Sequence, residues 1–192
     1  MAIELIFATH NQNKVKEIQS LMPEGIVVKS LDDIGFHEDI KETGSTLSEN
    51  SLIKAQFIFD TYGKNCFADD SGLEVDVLEG APGVFSARYA GPQKNDQDNI
   101  NLLLKNLINK EDRKARFATC ISLIIDGEIH QFTGFVEGAI IDDQKGTNGF
   151  GYDPIFVPEN HSKTFAELNM NEKNQMSHRA RAFAKMVAFL RE

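Results

Sequence analysis

The first half of the chain alternates short apolar runs with amphipathic segments. An uninterrupted apolar run is typical of a buried strand, whereas apolar positions three and four residues apart indicate a helix. The sequence Thr46-Leu47-Ser48-Glu49 matches a capping box, which predicts the start of a helix there. We expect strands over residues 3–8, 26–28 and 66–68, and helices over residues 14–22 and 46–62.

The second half adds a hairpin to the same pattern. Asp126-Gly127 lies between two long apolar stretches and favours a two-residue turn between antiparallel strands. Ser177 is suited to cap the last helix. We expect helices over residues 95–109 and after residue 177, a helical turn over 164–168, and strands over 115–125, 129–141 and 155–157.

These elements predict one α/β domain over residues 1–192, with helices flanking a mixed central β-sheet. The antiparallel hairpin is the reason to expect a mixed sheet rather than a purely parallel one. A chain of 192 residues is long enough for one well-buried domain.

Two adjacent carboxylates interrupt the pattern where the apolar run Cys66-Phe67-Ala68 ends in Asp69-Asp70-Ser71-Gly72. If the run is a strand, these carboxylates lie where it emerges, and alternation points them to opposite sides. A metal-binding or general-base carboxylate is one interpretation. An Asx turn between two strands is the other, and the stretch taken alone favours the turn.

Two further stretches carry candidate binding groups. The loop Thr9-His10-Asn11-Gln12-Asn13-Lys14 joins the first strand to the first helix, where amides and a lysine can bind phosphate. It lacks the glycines of a Walker A loop, and an ordinary helix cap explains it equally well. Phe150-Gly151-Tyr152-Asp153 offers aromatics for stacking on a base, or aromatics that fill the core.

His178 and Arg179 fall in the first turn of the last predicted helix, where the helix dipole disfavours cations. Both therefore have a reason to bind an anion or a hydrogen-bond acceptor. A surface His-Arg pair is the simpler interpretation of these two residues by themselves.

Composition limits the possible partners. The net charge of −9 argues against a general binder of nucleic acid or membrane surfaces, and it means that a phosphate site must gather its own lysines or a divalent metal. Cys66 and Cys120 both lie in apolar runs and are expected to be buried free thiols. We find neither a membrane-spanning run nor a signal peptide, so a cytoplasmic protein is expected.

Taken together, these stretches contain what a nucleoside triphosphate needs: lysines for phosphates, carboxylates for Mg²⁺ and an aromatic for a base. At these residues the chain resembles the inosine triphosphate pyrophosphatase (Ham1-like) family of noncanonical purine nucleoside triphosphate pyrophosphatases. One departure is that the family's usual Thr-Gly-Asn reads Thr9-His10-Asn11 here. The matching segments are residues 7–14, 42–44, 49–50, 54–55, 67–73, 80–83, 86–89, 149–154 and 177–179.

The resemblance implies Mg²⁺-dependent hydrolysis of ITP, dITP and XTP to the monophosphate and pyrophosphate. It also implies two lobes around a cleft and a homodimer. Asp70 would be the general base and a metal ligand, Glu42 a second metal ligand, and Asp69 a supporting residue. Substrate-binding residues would be Thr9, His10, Asn11, Gln12, Asn13, Lys14, Lys54, Ser71, Phe150, Gly151, Tyr152, Asp153, Lys173, His178 and Arg179.

Within that set the resemblance divides the roles. Lys14, Lys54 and Lys173 would hold the triphosphate, and Phe150 would stack on the base. His178 and Arg179 would donate hydrogen bonds to the 6-oxygen of hypoxanthine or xanthine, where adenine has an amino group.

Three other functions remain open at this stage. A Maf-like pyrophosphatase acting on modified or pyrimidine nucleotides would differ in its base pocket, which a panel of triphosphates distinguishes. A nucleotide sensor would bind without releasing pyrophosphate. A purely structural module is the weakest alternative, because it does not need carboxylates, lysines and glycines at so many element ends.

Overall fold

The structure is a computed structural model that describes residues 3–191, leaving the side chains of Asn13, Glu17 and Met170 undescribed. Within this range the chain alternates strands and helices as the sequence predicts. The elements are β1 (Ile3–Phe7), α1 (Gln12–Leu21), β2 (Ile26–Lys29), α2 (Leu47–Tyr62), β3 (Cys66–Val75), α3 (Asp96–Asn106), β4 (Lys114–Ile125), β5 (Glu128–Ile140), β6 (Phe156–Pro158), α4 (Met170–Met176) and α5 (His178–Phe189).

The strands form one six-stranded sheet in the order β2-β1-β3-β4-β5-β6. Strand β1 pairs in parallel with both β2 and β3, whereas β5 and β6 are antiparallel. Asp126 and Gly127 join β4 to β5 with φ angles of 51° and 84°. Positive φ at both central residues matches the twist of a two-residue hairpin. The prediction of an α/β fold with a mixed sheet is confirmed.

Strand β3 differs from its prediction, because it does not end at Asp69 and Asp70. It continues through Ser71 and Gly72 to Val75, so neither the strand end nor the Asx turn predicted here exists. Gly72 serves close packing instead of a turn: a Cβ there would lie 2.3 Å from the Gly83 carbonyl oxygen. The polar residues lie inside a strand, not after one.

The C-terminal segment forms two helices where the sequence predicted one. Asn169 caps α4 by accepting a hydrogen bond from the Glu172 N–H, and the Glu172 side chain completes the capping box. Ser177 lies between the helices, and its Oγ accepts a hydrogen bond from the Ala180 N–H at 3.1 Å. The prediction that Ser177 caps the last helix is confirmed, and the short helix α4 was missed.

Two compact units divide the described residues. Unit 1 comprises residues 3–70, 120–133 and 182–191, and unit 2 comprises residues 71–119 and 134–181. The division falls between Asp70 and Ser71, so β3 contributes residues to both units.

In unit 1, alternate residues of the strands pack against different helices. Leu5 and Phe7 of β1 share a core cluster with Phe67 of β3 and with residues of α1 and α5. Ile6 and Cys66 belong to another cluster, which includes residues of α2. Because side chains alternate along a strand, odd-numbered positions of β3 face α1 and α5, and even-numbered positions face α2.

Unit 2 has its own core. Leu73 and Val75 of β3 are fully buried against Leu103 of α3 and Phe156 of β6. Phe165 is also fully buried in this cluster. Burying each of these large side chains contributes about 1.5–3 kcal/mol, so unit 2 can position loops that run over its surface.

Both cysteines are buried and free, as predicted. Burial raises the pKa of the Cys66 thiol to about 12, which makes a nucleophilic role for it unfavourable. Within residues 3–191, we find no helix with both the length and the apolar character needed to cross a membrane.

Candidate active site

Asp69 and Asp70 point to opposite faces of β3, as alternation predicts, and each meets a lysine on a different helix. The carboxylate of Asp69 accepts hydrogen bonds from Lys14 Nζ at 3.0 and 3.2 Å. The Oδ1 atom of Asp70 lies 3.9 Å from Lys54 Nζ. Helix α1 supplies Lys14 and helix α2 supplies Lys54, so two lysines distant in sequence meet adjacent residues of one strand.

Lys54 is the centre of the group on the α2 face. Its Nζ atom donates hydrogen bonds to Glu42 Oε1 at 2.6 Å and to the main-chain oxygen of Asp69 at 2.7 Å. Burial by itself would lower the pKa of Lys54, but the negative charges of Asp69, Asp70 and Glu42 outweigh it and raise the pKa. The ammonium group is therefore charged throughout the physiological pH range.

The environment that keeps Lys54 charged disfavours the charged form of Asp70. Burial raises the pKa of Asp70 to about 6, and Lys54 only partly offsets this. The neighbouring charges of Glu42 and Asp69 raise it further, and Asn50 lowers it. A carboxylate with a pKa near neutral is matched to accepting a proton from water.

The loop before α1 is built as a helix cap. Asn11 Oδ1 accepts a hydrogen bond from the Lys14 N–H at 3.2 Å, and Thr9 Oγ1 accepts one from the Asn11 N–H at 3.2 Å. Gln12 Nε2 donates to Ser30 Oγ at 2.8 Å. The side chain of Asn13 lies outside the described residues. The loop presents a helix start beside Lys14, which is the geometry expected of a phosphate-binding loop.

His10 fits into this loop without backbone strain, since it is not among the residues with positive φ. Its ring hydrogen-bonds Asp32 Oδ1 at 2.8 Å and the Glu38 carbonyl oxygen at 3.2 Å. These two acceptors raise the pKa of His10. The residue that departs from the family's glycine therefore ties the loop to the segment that follows β2.

Glu42 and Asp70 are two residues of unit 1 whose side chains fit a divalent metal. Glu42 and Asp70 lie near the same lysine, and their oxygens are the hard ligands that Mg²⁺ prefers. Among the described residues, no three His, Cys, Asp or Glu side chains are grouped to hold a metal by themselves. Two carboxylates completed by phosphate oxygens and water are a common arrangement for Mg²⁺ in nucleotide enzymes.

The glycine-rich loop of unit 2 splits its two aromatics between surface and core. The Phe150 ring is 65% exposed, whereas Tyr152 is buried and donates its hydroxyl hydrogen to the Ser86 carbonyl oxygen at 2.8 Å. Burial raises the pKa of Tyr152, so its hydroxyl stays protonated. The Phe150 side chain is exposed and can stack on a base. The Tyr152 side chain is buried, so only its main chain can contact a substrate.

Asp153 organises this loop from inside. Its carboxylate accepts hydrogen bonds from the Phe150 N–H at 2.9 Å and from Lys173 Nζ. The same ammonium lies 4.9 Å from the centre of the Phe150 ring. Lys173 is therefore beside the candidate stacking residue in unit 2, whereas Lys14 and Lys54 belong to unit 1.

Helix α5 begins with His178 and Arg179, as the sequence predicts. The His178 ring stacks on Phe117 with centroids 4.9 Å apart and an angle of 12° between the planes. This contact fixes the plane of the imidazole. Ser71, the remaining predicted residue of unit 2, shares a hydrogen bond of 2.7 Å with Thr119.

Three contributors to these groups were not identified from the sequence. Asn50 accepts a hydrogen bond from the Gly44 N–H at 2.8 Å and acts on Asp70, and the sequence indicated it only as part of the matching segment 49–50, with no role. Phe117 lies in an apolar strand and gave no signal. Asp96 accepts a hydrogen bond from the Gly151 N–H at 2.7 Å, but in sequence it is an ordinary acidic residue at a helix start.

Comparison with known proteins confirms the resemblance to this family. The chain matches the Ham1 family over residues 5–189. It is 52% identical over 188 residues to a dITP/XTP pyrophosphatase of Christiangramia forsetii, covering 98% of this chain and 99% of that one. A protein of the same name from Bacillus subtilis is 50% identical and covers 97% of this chain and 96% of its own. The structure of the Staphylococcus aureus Ham1 protein matches with a TM-score of 0.94 and 42% identity, covering 98% of each chain. On both sequence and fold, the chain belongs to the Ham1 family.

Proposed function

We propose that the protein hydrolyses noncanonical purine nucleoside triphosphates, namely ITP, dITP and XTP, to the monophosphate and pyrophosphate. The observation that carries this proposal is the arrangement on β3, where Lys14 and Lys54 each meet an aspartate of the same strand. Relatives named dITP/XTP pyrophosphatase, about half identical over nearly the whole chain, support the choice of substrate. Family membership does not favour the Maf-like alternative.

In this proposal one group of residues acts on the phosphates. Lys14, Lys54 and the loop from Thr9 to Lys14 bind the phosphate oxygens, and Ser71 lies next to this group in the chain. Asp70 accepts the proton of the attacking water. Glu42 and Asp70 would hold Mg²⁺, which neutralises charge on the triphosphate when bound.

Another group of residues recognises the base. The exposed Phe150 ring stacks on the purine, and Lys173, whose ammonium lies 4.9 Å from the centre of that ring, is proposed to hold the triphosphate with Lys14 and Lys54. His178 and Arg179 donate to the 6-oxygen of hypoxanthine or xanthine. Adenine has an amino group there, so these donors are left without an acceptor, at a cost of about 1–3 kcal/mol for each lost bond.

We further propose that residues 1–192 act as one domain, that the protein is a homodimer and that it works in the cytoplasm. The match to the Ham1 family over residues 5–189 supports a single domain. The two buried free thiols support a reducing compartment. The dimer follows from the family resemblance.

A panel of triphosphates tests the function directly. With Mg²⁺ present we expect pyrophosphate release from ITP, dITP and XTP at a kcat/KM at least about a hundredfold above that for ATP, because two donors favour the 6-oxygen. Adding EDTA should abolish release. Nucleotide binding without pyrophosphate release would indicate a sensor, and a preference for UTP would indicate the Maf-like alternative.

Replacing Arg179 tests the origin of base selection. Arg179→Ala is expected to narrow the ratio of kcat/KM for ITP over ATP by about tenfold, because arginine can only donate and so favours an oxygen over an amino group. The readout is pyrophosphate release from both substrates. Arg181→Ala is the matched control, since Arg181 lies on the same helix but donates to the Phe135 carbonyl oxygen. An unchanged ratio in Arg179→Ala would exclude this role.

A further inference from the structure

Phe150 is 65% exposed, so packing of its ring does little to hold the loop. The residue lies between Gly149 and Gly151, whose φ angles of 78° and 60° are in the left-handed region. Glycines on both sides leave the main chain many alternative conformations. The direction of the ring must therefore be fixed by other contacts.

The Lys173 ammonium contacts the ring itself, and two carboxylates restrain the main chain on either side of it. Asp153 accepts a hydrogen bond from the Phe150 N–H at 2.9 Å, and Asp96 accepts one from the Gly151 N–H at 2.7 Å. Asp153 belongs to the loop itself. Asp96 lies 55 residues earlier in the chain, at the start of α3, so it ties the loop to a separate element.

Helix α3, which carries Asp96, is anchored in the core of unit 2. Ile100 and Leu103 are 2% and 0% exposed and belong to the core of unit 2. Asn99 is also buried, and its Oδ1 accepts a hydrogen bond from the Ala90 N–H at 2.7 Å. The helix is thus anchored by apolar packing on one side and by a buried amide on another.

We infer that Asp96 is a positioning residue for base recognition, which holds the Gly151 N–H and thereby fixes the direction of the Phe150 ring. This builds on the proposed function, because the stacking role of Phe150 is part of it. Without the Asp96 carboxylate the loop can sample other conformations, so binding that depends on the base weakens and binding that depends on phosphates does not.

A fluorescence experiment tests the restraint without using activity. The chain has no tryptophan, so Phe150→Trp places a single reporter at the ring position. In that background Asp96→Ala should lower the steady-state anisotropy, because the loop becomes more mobile. Asp98→Ala should leave it unchanged. Asp98 is a matched control, since it lies in the same first turn of α3 and accepts a hydrogen bond from Gln93. Equal anisotropy in the two variants would overturn the inference.

Kinetics of the otherwise unmodified chain test the consequence. Asp96→Ala should raise KM for ITP about tenfold while kcat changes less than about twofold, because a contact to the unreactive base is weakened. The inhibition constant of tripolyphosphate, which has no base, should stay at the wild-type value. Asp96→Asn keeps a neutral acceptor, so its KM for ITP should lie between those of the wild-type protein and Asp96→Ala. It replaces the alanine variant if that variant melts below the assay temperature.

The outcomes separate this inference from the proposed function. An unchanged KM in Asp96→Ala, or an equal loss of ITP and tripolyphosphate binding, would overturn the role of Asp96. If the wild-type protein does not hydrolyse ITP, the proposed function fails, and the anisotropy experiment still decides whether Asp96 restrains the loop.

Discussion

Asp70→Asn is expected to lower kcat for ITP by about a thousandfold or more, since a general base contributes about 10²–10⁴ and a metal ligand is weakened as well. The protein should remain folded. The Asp70 side chain is only 14% exposed and its pKa is about 6, so its ionised form is unfavourable in the folded protein. An amide of the same shape removes that charge without leaving a cavity.

The pH dependence gives this prediction a second readout. The folded-state pKa of Asp70 is raised, so its ionisation destabilises the metal-free protein as pH rises from about 4 through about 6. In EDTA, Asp70→Asn should therefore melt at or above the wild-type temperature at pH 7.5, and this advantage should shrink near pH 4.

Asp60→Asn makes the same chemical change at an exposed position of α2 and is the matched control. It should leave both kcat and the melting temperature at wild-type values. Activity near wild type in Asp70→Asn would remove Asp70 from the mechanism. Unfolding of that variant would contradict the account of its buried charge.

Lys54→Met is expected to reduce kcat/KM for ITP about a hundredfold and the free energy of unfolding by about 3 kcal/mol. The variant leaves the charges of Glu42 and Asp70 without the ammonium between them. It also removes the donor to the main-chain oxygen of Asp69. The side chains of Lys54 and Asp70 are each only 14% exposed, so water compensates little for the loss.

Urea unfolding without metal and pyrophosphate release with Mg²⁺ measure the two effects. Lys64→Met is the control, because Lys64 is 53% exposed and its Nζ lies 3.5 Å from Glu4. An exposed pair of this kind contributes at most about 1 kcal/mol. Similar stability losses in the two variants would show that Lys54 does not hold the carboxylates together.

The opposite directions of Asp69 and Asp70 were predicted from the sequence because alternation is a local property of any strand. The predicted strand end was wrong for a non-local reason. A carboxylate inside a strand is costly unless a partner reaches it, and Lys14 lies 55 residues from Asp69. The sequence shows the carboxylates but not the distant lysine that stabilises one of them within β3.

The structure of the glycine-rich loop also depends on distant residues that the sequence does not reveal. The sequence left open whether its aromatics stack on a base or fill the core, and the structure buries Tyr152 while leaving Phe150 exposed. Tyr152 turns inward because its hydroxyl meets the Ser86 carbonyl oxygen, 66 residues away. Asp96 could not be identified for a related reason, since its partner Gly151 is in a different part of the chain.

Asp69 contacts two lysines through two different parts of the same residue. Its carboxylate binds Lys14, whereas its main-chain oxygen binds Lys54. Side-chain replacement removes the first of these hydrogen bonds and keeps the second, although it also removes a negative charge that raises the pKa of Lys54. A library of variants at position 69 would thus change how firmly Lys14 is restrained while the main-chain hydrogen bond to Lys54 stays in place.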